Sequence, residues 1–218
     1  MRDTKEARVP MVVIKRLPKY FRYLGELVER KVERVSSQTL ADMMGISASQ
    51  LRQDLNHFGE FGQQGYGYRV EDLYREIGRI IGLEQEYSLV IVGAGNLGQA
   101  LANYPNFGKR GFVLRGVFDI NPKLIGLGLR NCDIMDIDKL EAFIRTNNVD
   151  IGIVAVPKEA AQGVADTMVQ AGIKAIWNFA PVDIKVPPEV ILENEHLADR
   201  LMVISFRIQE LGFEEEGD

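Results

Sequence analysis

SLVIVGAGNLGQAL, residues 88–101, decides the fold. An apolar run, Ser88–Val92, leads directly into glycines at 93, 95 and 98. A helical pattern follows, with Leu97, Ala100 and Leu101 for packing. Continuous apolar runs of this length suit strands buried in a parallel sheet. The G-x-G-x-x-G spacing then has a physical reading. Gly93 permits a tight turn, Gly95 lets a pyrophosphate approach the backbone, and Gly98 lets the helix sit close to the sheet. A helix N-terminus offers free N–H groups and partial positive charge to phosphates. Gly93, Ala94, Gly95, Asn96, Leu97 and Gly98 are therefore the expected dinucleotide cradle. The motif alone is weak, and its context decides.

Downstream, the context is that of a dinucleotide-binding domain. FVLRGVFDIN, 112–121, reads as a second strand with Asp119 near its end. An acid there accepts hydrogen bonds from ribose hydroxyls and repels a 2′-phosphate, so NAD(H) is expected over NADP(H), although Arg115 and Lys123 lie nearby. Residues 136–146 suit a helix, VDIGIVAVP (149–157) a third strand, 158–171 a helix, and IKAIWNFAP (173–181) a further strand with its exit loop. VPPEVILENE, 186–195, holds one short strand. Such alternation gives an α/β, Rossmann-type, doubly wound parallel sheet. Ligands sit at the carboxyl ends of its strands. Val156, Pro157, Asn178, Ala180 and Pro181 are therefore expected to join the glycine loop.

Upstream, the pattern changes. In RLPKYFRYLGELVER, 16–30, Leu17, Phe21, Leu24 and Val28 fall at helical spacing, with Tyr20 and Leu27 widening the stripe. Pro18 fits a first helical turn or kinks a helix that starts earlier. In SSQTLADMMGISASQLRQDLNHFG, 36–59, Ser36 or Ser37 caps a short helix ending at Gly45, and Ser47 with Gln50 forms a capping box for a second. The second helix turns Leu51, Leu55 and Phe58 inward and Gln50, Arg52, Gln53 and Asn56 elsewhere. This is a helix-turn-helix whose second helix carries Arg, Gln and Asn, side chains suited to base edges in a major groove. FGQQGYGYRV, 61–70, alternates glycine with aromatics like a tight β-hairpin, the wing of a winged helix. Residues 70–83 read as a connecting helix with Leu73, Ile77 and Ile80 on one face.

Charge follows the same division. Residues 1–69 carry 12 basic and 8 acidic side chains, and residues 70–218 carry 14 and 23. A basic front on an acidic body suits a polyanionic partner. No apolar run approaches the roughly 20 residues of a membrane-spanning helix, and the charged MRDTKEARVP start lacks a signal-peptide core. One cysteine, Cys132, makes no internal disulfide and no multi-thiolate metal site. A cytoplasmic location and no metal are expected. HLADRLMVISFRIQELGF, 196–213, carries Leu197, Leu201, Ile204, Ile208 and Leu211 as a stripe that packs on its own domain or on a partner chain. The domains are expected at 1–83, 84–194 and 195–218, the last a helix with an acidic tail.

RLPKYFRYL (16–24), SASQLRQDLNHFG (47–59), GQQGYGY (62–68), VGAGNLGQAL (92–101) and NFAPV (178–182) stand together in one order. Through them the chain resembles the Rex family of redox-sensing transcriptional repressors, from about Val9 to Phe213. The resemblance implies a homodimer that binds pseudo-palindromic operator DNA when NADH is scarce and releases it when NADH binds, with NAD+ as a weaker competitor. It implies a C-terminal helix swapped against the partner subunit. It places Arg16 at the DNA and domain interface, Ser47, Ser49, Gln50, Arg52 and Gln53 at the major groove, Gln64, Gly65 and Tyr66 in the wing, and Tyr104 near the nicotinamide. Many members have paired basic residues where this chain has Arg52-Gln53, and an Asp near Glu195-His196.

The residues leave other readings open. A small NAD-dependent reductase would use Lys158 or Tyr104, since hydride transfer usually needs a proton donor or acceptor near the nicotinamide. No separate substrate domain accompanies them. His57 in the second helix and His196 near the C-terminal stripe are the chain's two histidines. A CoA-type ligand is the third reading, since the same fold serves CoA-binding domains.

Overall fold

The computed structural model describes residues 9–59, 61 and 66–215, with side chains through Leu211. The chain forms two compact units, one running to Gln85 and the other beginning at Glu86.

The first unit is helical around a small strand pair. A short helix, α1 (Met11–Ile14), precedes α2 (Leu17–Glu29), so Pro18 sits in the first turn of a new helix, where its missing N–H costs nothing. β1 (Arg34–Val35) leads into α3 (Ser37–Met44), then α4 (Ala48–Asn56), β2 (Tyr68–Arg69) and α5 (Val70–Ile80). Ser36 caps α3 by accepting from Thr39 N, and Ser47 caps α4 by accepting from Gln50 N. The core is built from the predicted stripes: Leu17, Tyr20, Leu24, Leu40, Leu51, Leu55 and Ile77 are fully buried. Each such Leu or Ile contributes about 1.5–3 kcal/mol by leaving water. Phe21 of α2 stacks on Tyr74 of α5 with ring centroids 4.3 Å apart.

The expected hairpin over 61–70 includes residues 62–65, which lie outside the described residues; its described end, β2, pairs with a strand from before α3. β2 pairs antiparallel with β1, Arg34 opposite Arg69 and Val35 opposite Tyr68. Gly67, with φ of +69°, lets the chain turn there, since a Cβ would stand 2.5 Å from the Val35 carbonyl oxygen. Gln64 and Gly65 lie outside the described residues.

The second unit is a seven-stranded sheet. Its strands are β3 (Tyr87–Val92), β4 (Phe112–Asp119), β5 (Gly128–Leu129), β6 (Cys132–Asp136), β7 (Ile151–Val154), β8 (Ala175–Asn178) and β9 (Ile191–Asn194). The order is β5-β6-β4-β3-β7-β8-β9. All neighbours are parallel except the edge pair β5 and β6. Without that edge strand, the order is the Rossmann arrangement, with its switch point at β3. The helices are α6 (Asn96–Ala102), α7 (Pro105–Lys109), α8 (Leu140–Asn147), α9 (Lys158–Gln170) and α10 (Leu197–Glu215). The expected helix over 136–146 is a 3-10 turn, Ile137–Lys139, followed by α8. The β5–β6 hairpin was not expected. CDIMD mixes two acids with apolar residues and lies near the sheet edge, with only Ile134 buried.

One sheet face packs Val90, Val92, Phe118 and Val154 beneath α8 and α9, with Leu140, Ile144, Ala165 and Met168. The other packs Leu89, Ile91, Val117 and Ile153 with Ala102 and partly buried Leu101 and Phe107 of α6 and α7. α10 is different. Leu197, Leu201, Ile204, Phe206, Ile208 and Leu211 are each at least half exposed in the single chain.

Candidate functional site

Two sites emerge, one in each unit. In the first, α4 presents Ser47, Ser49, Arg52, Gln53 and Asn56 to solvent from a buried apolar side of Ala48, Leu51 and Leu55. Arg52 Nη1 donates to Ser37 Oγ at 2.9 Å, and its other N–H groups make no bond to the described residues. Tyr66 is 71% exposed beside the β1–β2 pair, and its carbonyl accepts from Arg34 Nη1 at 3.4 Å.

The side chain that fixes α4 is Asp54, which is 1% exposed. Its carboxylate accepts from Arg16 Nε at 2.5 Å and Nη2 at 2.7 Å, from the Tyr20 hydroxyl at 2.5 Å and from Gln50 Nε2 at 2.8 Å. Burial alone would raise the Asp54 carboxyl. The hydrogen bonds from Arg16, Tyr20 and Gln50 outweigh it and hold the group below the ordinary carboxylate value. The same burial, with the bond to Asp54, raises Tyr20 far above an ordinary phenol.

Two of the expected DNA contacts also take part in this hub. The forked face of the Arg16 guanidinium is engaged by Asp54, and one Gln50 amide proton is committed to the same acid. Arg16 ties α4 to the start of α2, while Gln50 braces Asp54 from within α4 itself. Asp54 carried a signal in the sequence: it shares the inward face with Leu51, Leu55 and Phe58. A carboxylate at such a position implies a buried partner.

The second site stands at the carboxyl ends of β3, β4, β7 and β8. Gly93 has φ of +102°, and a Cβ there would lie 2.3 Å from the Ala155 carbonyl oxygen. A Cβ on Gly98 would lie 1.7 Å from the Gly93 carbonyl oxygen. Around Gly95 the corresponding space is open. Two glycines are thus demanded by the protein's own backbone, and the third leaves a bare backbone facing outward. Asp119 Oδ2 accepts from Ala94 N at 2.6 Å and its Oδ1 from Asn121 N at 2.8 Å. The acid therefore stands directly beside the loop, and each oxygen retains a lone pair for a ribose hydroxyl.

The β7 exit belongs to the same place. The Val156 side chain lies within 3.1 Å of where a Gly93 Cβ would stand, and Pro157 is exposed at the start of α9. Asn178 is fully buried, donating to Val182 O at 2.7 Å and Asn194 Oδ1 at 2.8 Å and accepting from Ala180 N at 3.0 Å. Its amide holds the β8 exit loop in shape, and Ala180 is buried with it. Pro181 is exposed. Tyr104 is 45% exposed and begins an aromatic series: its ring meets Phe107 edge-on, Phe107 meets Trp177, and Trp177 lies 4.4 Å from Phe179.

The remaining candidates are placed as follows. Lys158 is exposed at the first turn of α9, and His57 is exposed at the end of α4. His196 pairs with Asp183 Oδ1 at 2.9 Å, which raises its pKa. Cys132 is half-buried, its thiol pushed up by burial. Among the described residues no group of three or more metal-ligating side chains converges, and no helix is long and apolar enough to cross a membrane.

A helix-turn-helix unit joined to a Rossmann sheet with a glycine cradle defines a class: DNA-binding regulators that carry a nucleotide-binding fold. Comparisons with known proteins narrow it. Residues 8–56 match the family model "Putative DNA-binding protein N-terminus", and residues 84–182 match the "CoA binding domain" model. The redox-sensing transcriptional repressor Rex of Thermoanaerobacter pseudethanolicus is 57% identical over 95% of this chain and 92% of its own. That of Clostridioides difficile is 54% identical over 93% and 96%. Among solved structures, RSP in complex with beta-NAD+ and operator DNA matches with a TM-score of 0.89 and 56% identity, covering 95% of this chain and 96% of that one. RSP in complex with beta-NADH matches with a TM-score of 0.89 and 52% identity over 97% and 100%. The chain belongs to the Rex family of redox-sensing transcriptional repressors. Its relatives are repressors, not enzymes, and the reductase reading is set aside.

Proposed function

We propose that this protein represses transcription by binding operator DNA through α4 and the β1–β2 wing, and that NADH held at the glycine cradle releases it. One observation carries the reading. A solvent-facing recognition helix and a glycine cradle with an adjacent acid occur in one chain, at 52–56% identity to RSP in its operator and NADH complexes. Ser47, Ser49, Arg52, Gln53, Asn56 and Tyr66 form the DNA face. Gly93–Gly98, Asp119, Val156, Pro157, Pro181 and Tyr104 form the nucleotide face.

NADH and NAD+ differ by one hydride and one charge. A ligand moves a two-state equilibrium only through unequal affinity for the two states. The nicotinamide end must therefore supply that difference, and Tyr104 with its aromatic series is suited to it. The exposed apolar stripe of α10 packs against a second copy of the chain, giving a two-fold dimer that matches a pseudo-palindromic operator. The domains fall at 1–83, 84–194 and 195–218, and the protein works in the cytoplasm.

The test is operator binding by anisotropy with NADH and NAD+ added in turn. NADH should weaken DNA binding by a coupling of about 1–3 kcal/mol or more, and NAD+ by less. Unchanged DNA affinity at saturating NADH overturns the reading.

A further inference from the structure

Behind the glycine cradle's helix lies a second concavity. α6, α7 and strands β3 and β4 line an open concavity of about 150 Å³, with walls of Leu89, Ile91, Leu101, Phe107, Phe112 and Leu114. Apolar cavities of roughly this size accept a benzene ring. One cation lines it, the exposed side chain of Arg130.

Arg130 is unusual in two respects. It sits in the two-residue turn between β5 and β6 with φ of 60°, a left-handed conformation that L side chains other than Asn and Asp seldom adopt. Second, no carboxylate among the described residues forms an ion pair with it. Its Nη1 donates to the carbonyls of Ala102 and Tyr104, both at 3.2 Å, closing the end of α6. That uses one nitrogen. Nε and Nη2 make no bond to the described residues, and a guanidinium edge of this kind matches a carboxylate in a bidentate pair.

We propose that this cavity binds a small carboxylate with an apolar body, an aromatic or short aliphatic acid of about six to nine heavy atoms. Its body lies against Phe107, Leu101 and Ile91, and its carboxylate meets Arg130. The cavity opens on the sheet face beneath α6, whereas the glycine cradle stands at the strand ends; the two meet only at Phe107 and the Tyr104 backbone.

Benzoate is the probe, titrated into the full-length protein by calorimetry, with toluene as the uncharged comparison. Saturable binding of one benzoate per chain is expected, at least tenfold tighter than toluene. Arg130→Gln should weaken benzoate about tenfold and leave toluene unchanged. Arg130→Lys, which keeps the charge but loses the fork, should fall between. Leu101→Trp should remove both ligands by filling the cavity, a readout independent of the turn's stability. NADH should still bind the benzoate-saturated protein. The proposal is overturned by non-saturating benzoate, by equal affinity for toluene, by an Arg130→Gln protein that binds benzoate as before, or by displacement of benzoate with NADH.

Discussion

The recognition helix and the glycine cradle are held in place by opposite means. α4 is fixed by a charged hub, Asp54 with Arg16, Tyr20 and Gln50, buried under the helix. The cradle is fixed by the lack of side chains: backbone meets backbone where Gly93 faces Ala155 and Gly98 faces Gly93. A helix that must present several side chains at fixed angles needs an anchor with direction, and a bidentate ion pair has direction. A loop that must let phosphates touch its backbone needs bare space instead.

The largest effect that tests this contrast is on the hub. Asp54→Ala strands the Arg16 guanidinium in a partly buried place and should cost the first unit about 3–5 kcal/mol, read as a lower denaturant midpoint, with NADH binding by the second unit retained. If thermal and chemical stability stay unchanged, the hub is not what holds α4. The same pair predicts a pH dependence. Asp54 has a folded pKa below its unfolded value. Its stabilisation is therefore full above the ordinary carboxylate value near ~3.9 and is lost as pH falls through the lower folded value. Asp54→Asn should flatten that acid limb in a stability-versus-pH series.

Next comes the cradle. Gly98→Ala forces a methyl group into the Gly93 carbonyl and should destabilise the second unit by about 1–3 kcal/mol or more, with NADH binding lost in fluorescence titration. Operator affinity should persist. Loss of both together would mean that the cradle's effect spreads beyond its own unit. Arg52→Ala removes an exposed donor from the DNA face and should lower operator affinity by about 1–3 kcal/mol while leaving the melting temperature nearly fixed. Operator affinity equal to wild type would move the base contacts elsewhere on α4. The smallest effect is at a cap: Ser47→Ala removes the acceptor for Gln50 N and should cost about 1 kcal/mol, seen as a small fall in melting temperature.

Much of this was legible in the sequence because it is local or periodic. The glycine loop, the caps at Ser36 and Ser47, and the stripes of α2 and α5 follow from residues within a few positions of one another. Three features were not legible. The β1–β2 pair joins two-residue strands across more than thirty positions, too short to show any periodicity. The β5–β6 edge is short and rich in polar residues, a composition that suits a loop as well as a strand. Asp54 sits at a helical position that its neighbours mark as inward, but its partners Arg16 and Tyr20 come from another helix. Asn178 reads in the sequence as a cofactor contact, yet its side-chain amide bonds Val182, Asn194 and Ala180, a role visible only when those partners are placed.

The aromatic series at the β8 exit has a practical consequence. Trp177 is the chain's one tryptophan, and it stands between Phe107 and Phe179 in the series that begins at Tyr104. Tryptophan emission overlaps the absorption of a reduced nicotinamide and not that of an oxidised one. The protein therefore carries its own optical gauge: quenching of Trp177 with sensitised nicotinamide emission should distinguish the two redox forms without a label. The redox poise of a nucleotide mixture would then be readable directly from the light the protein emits.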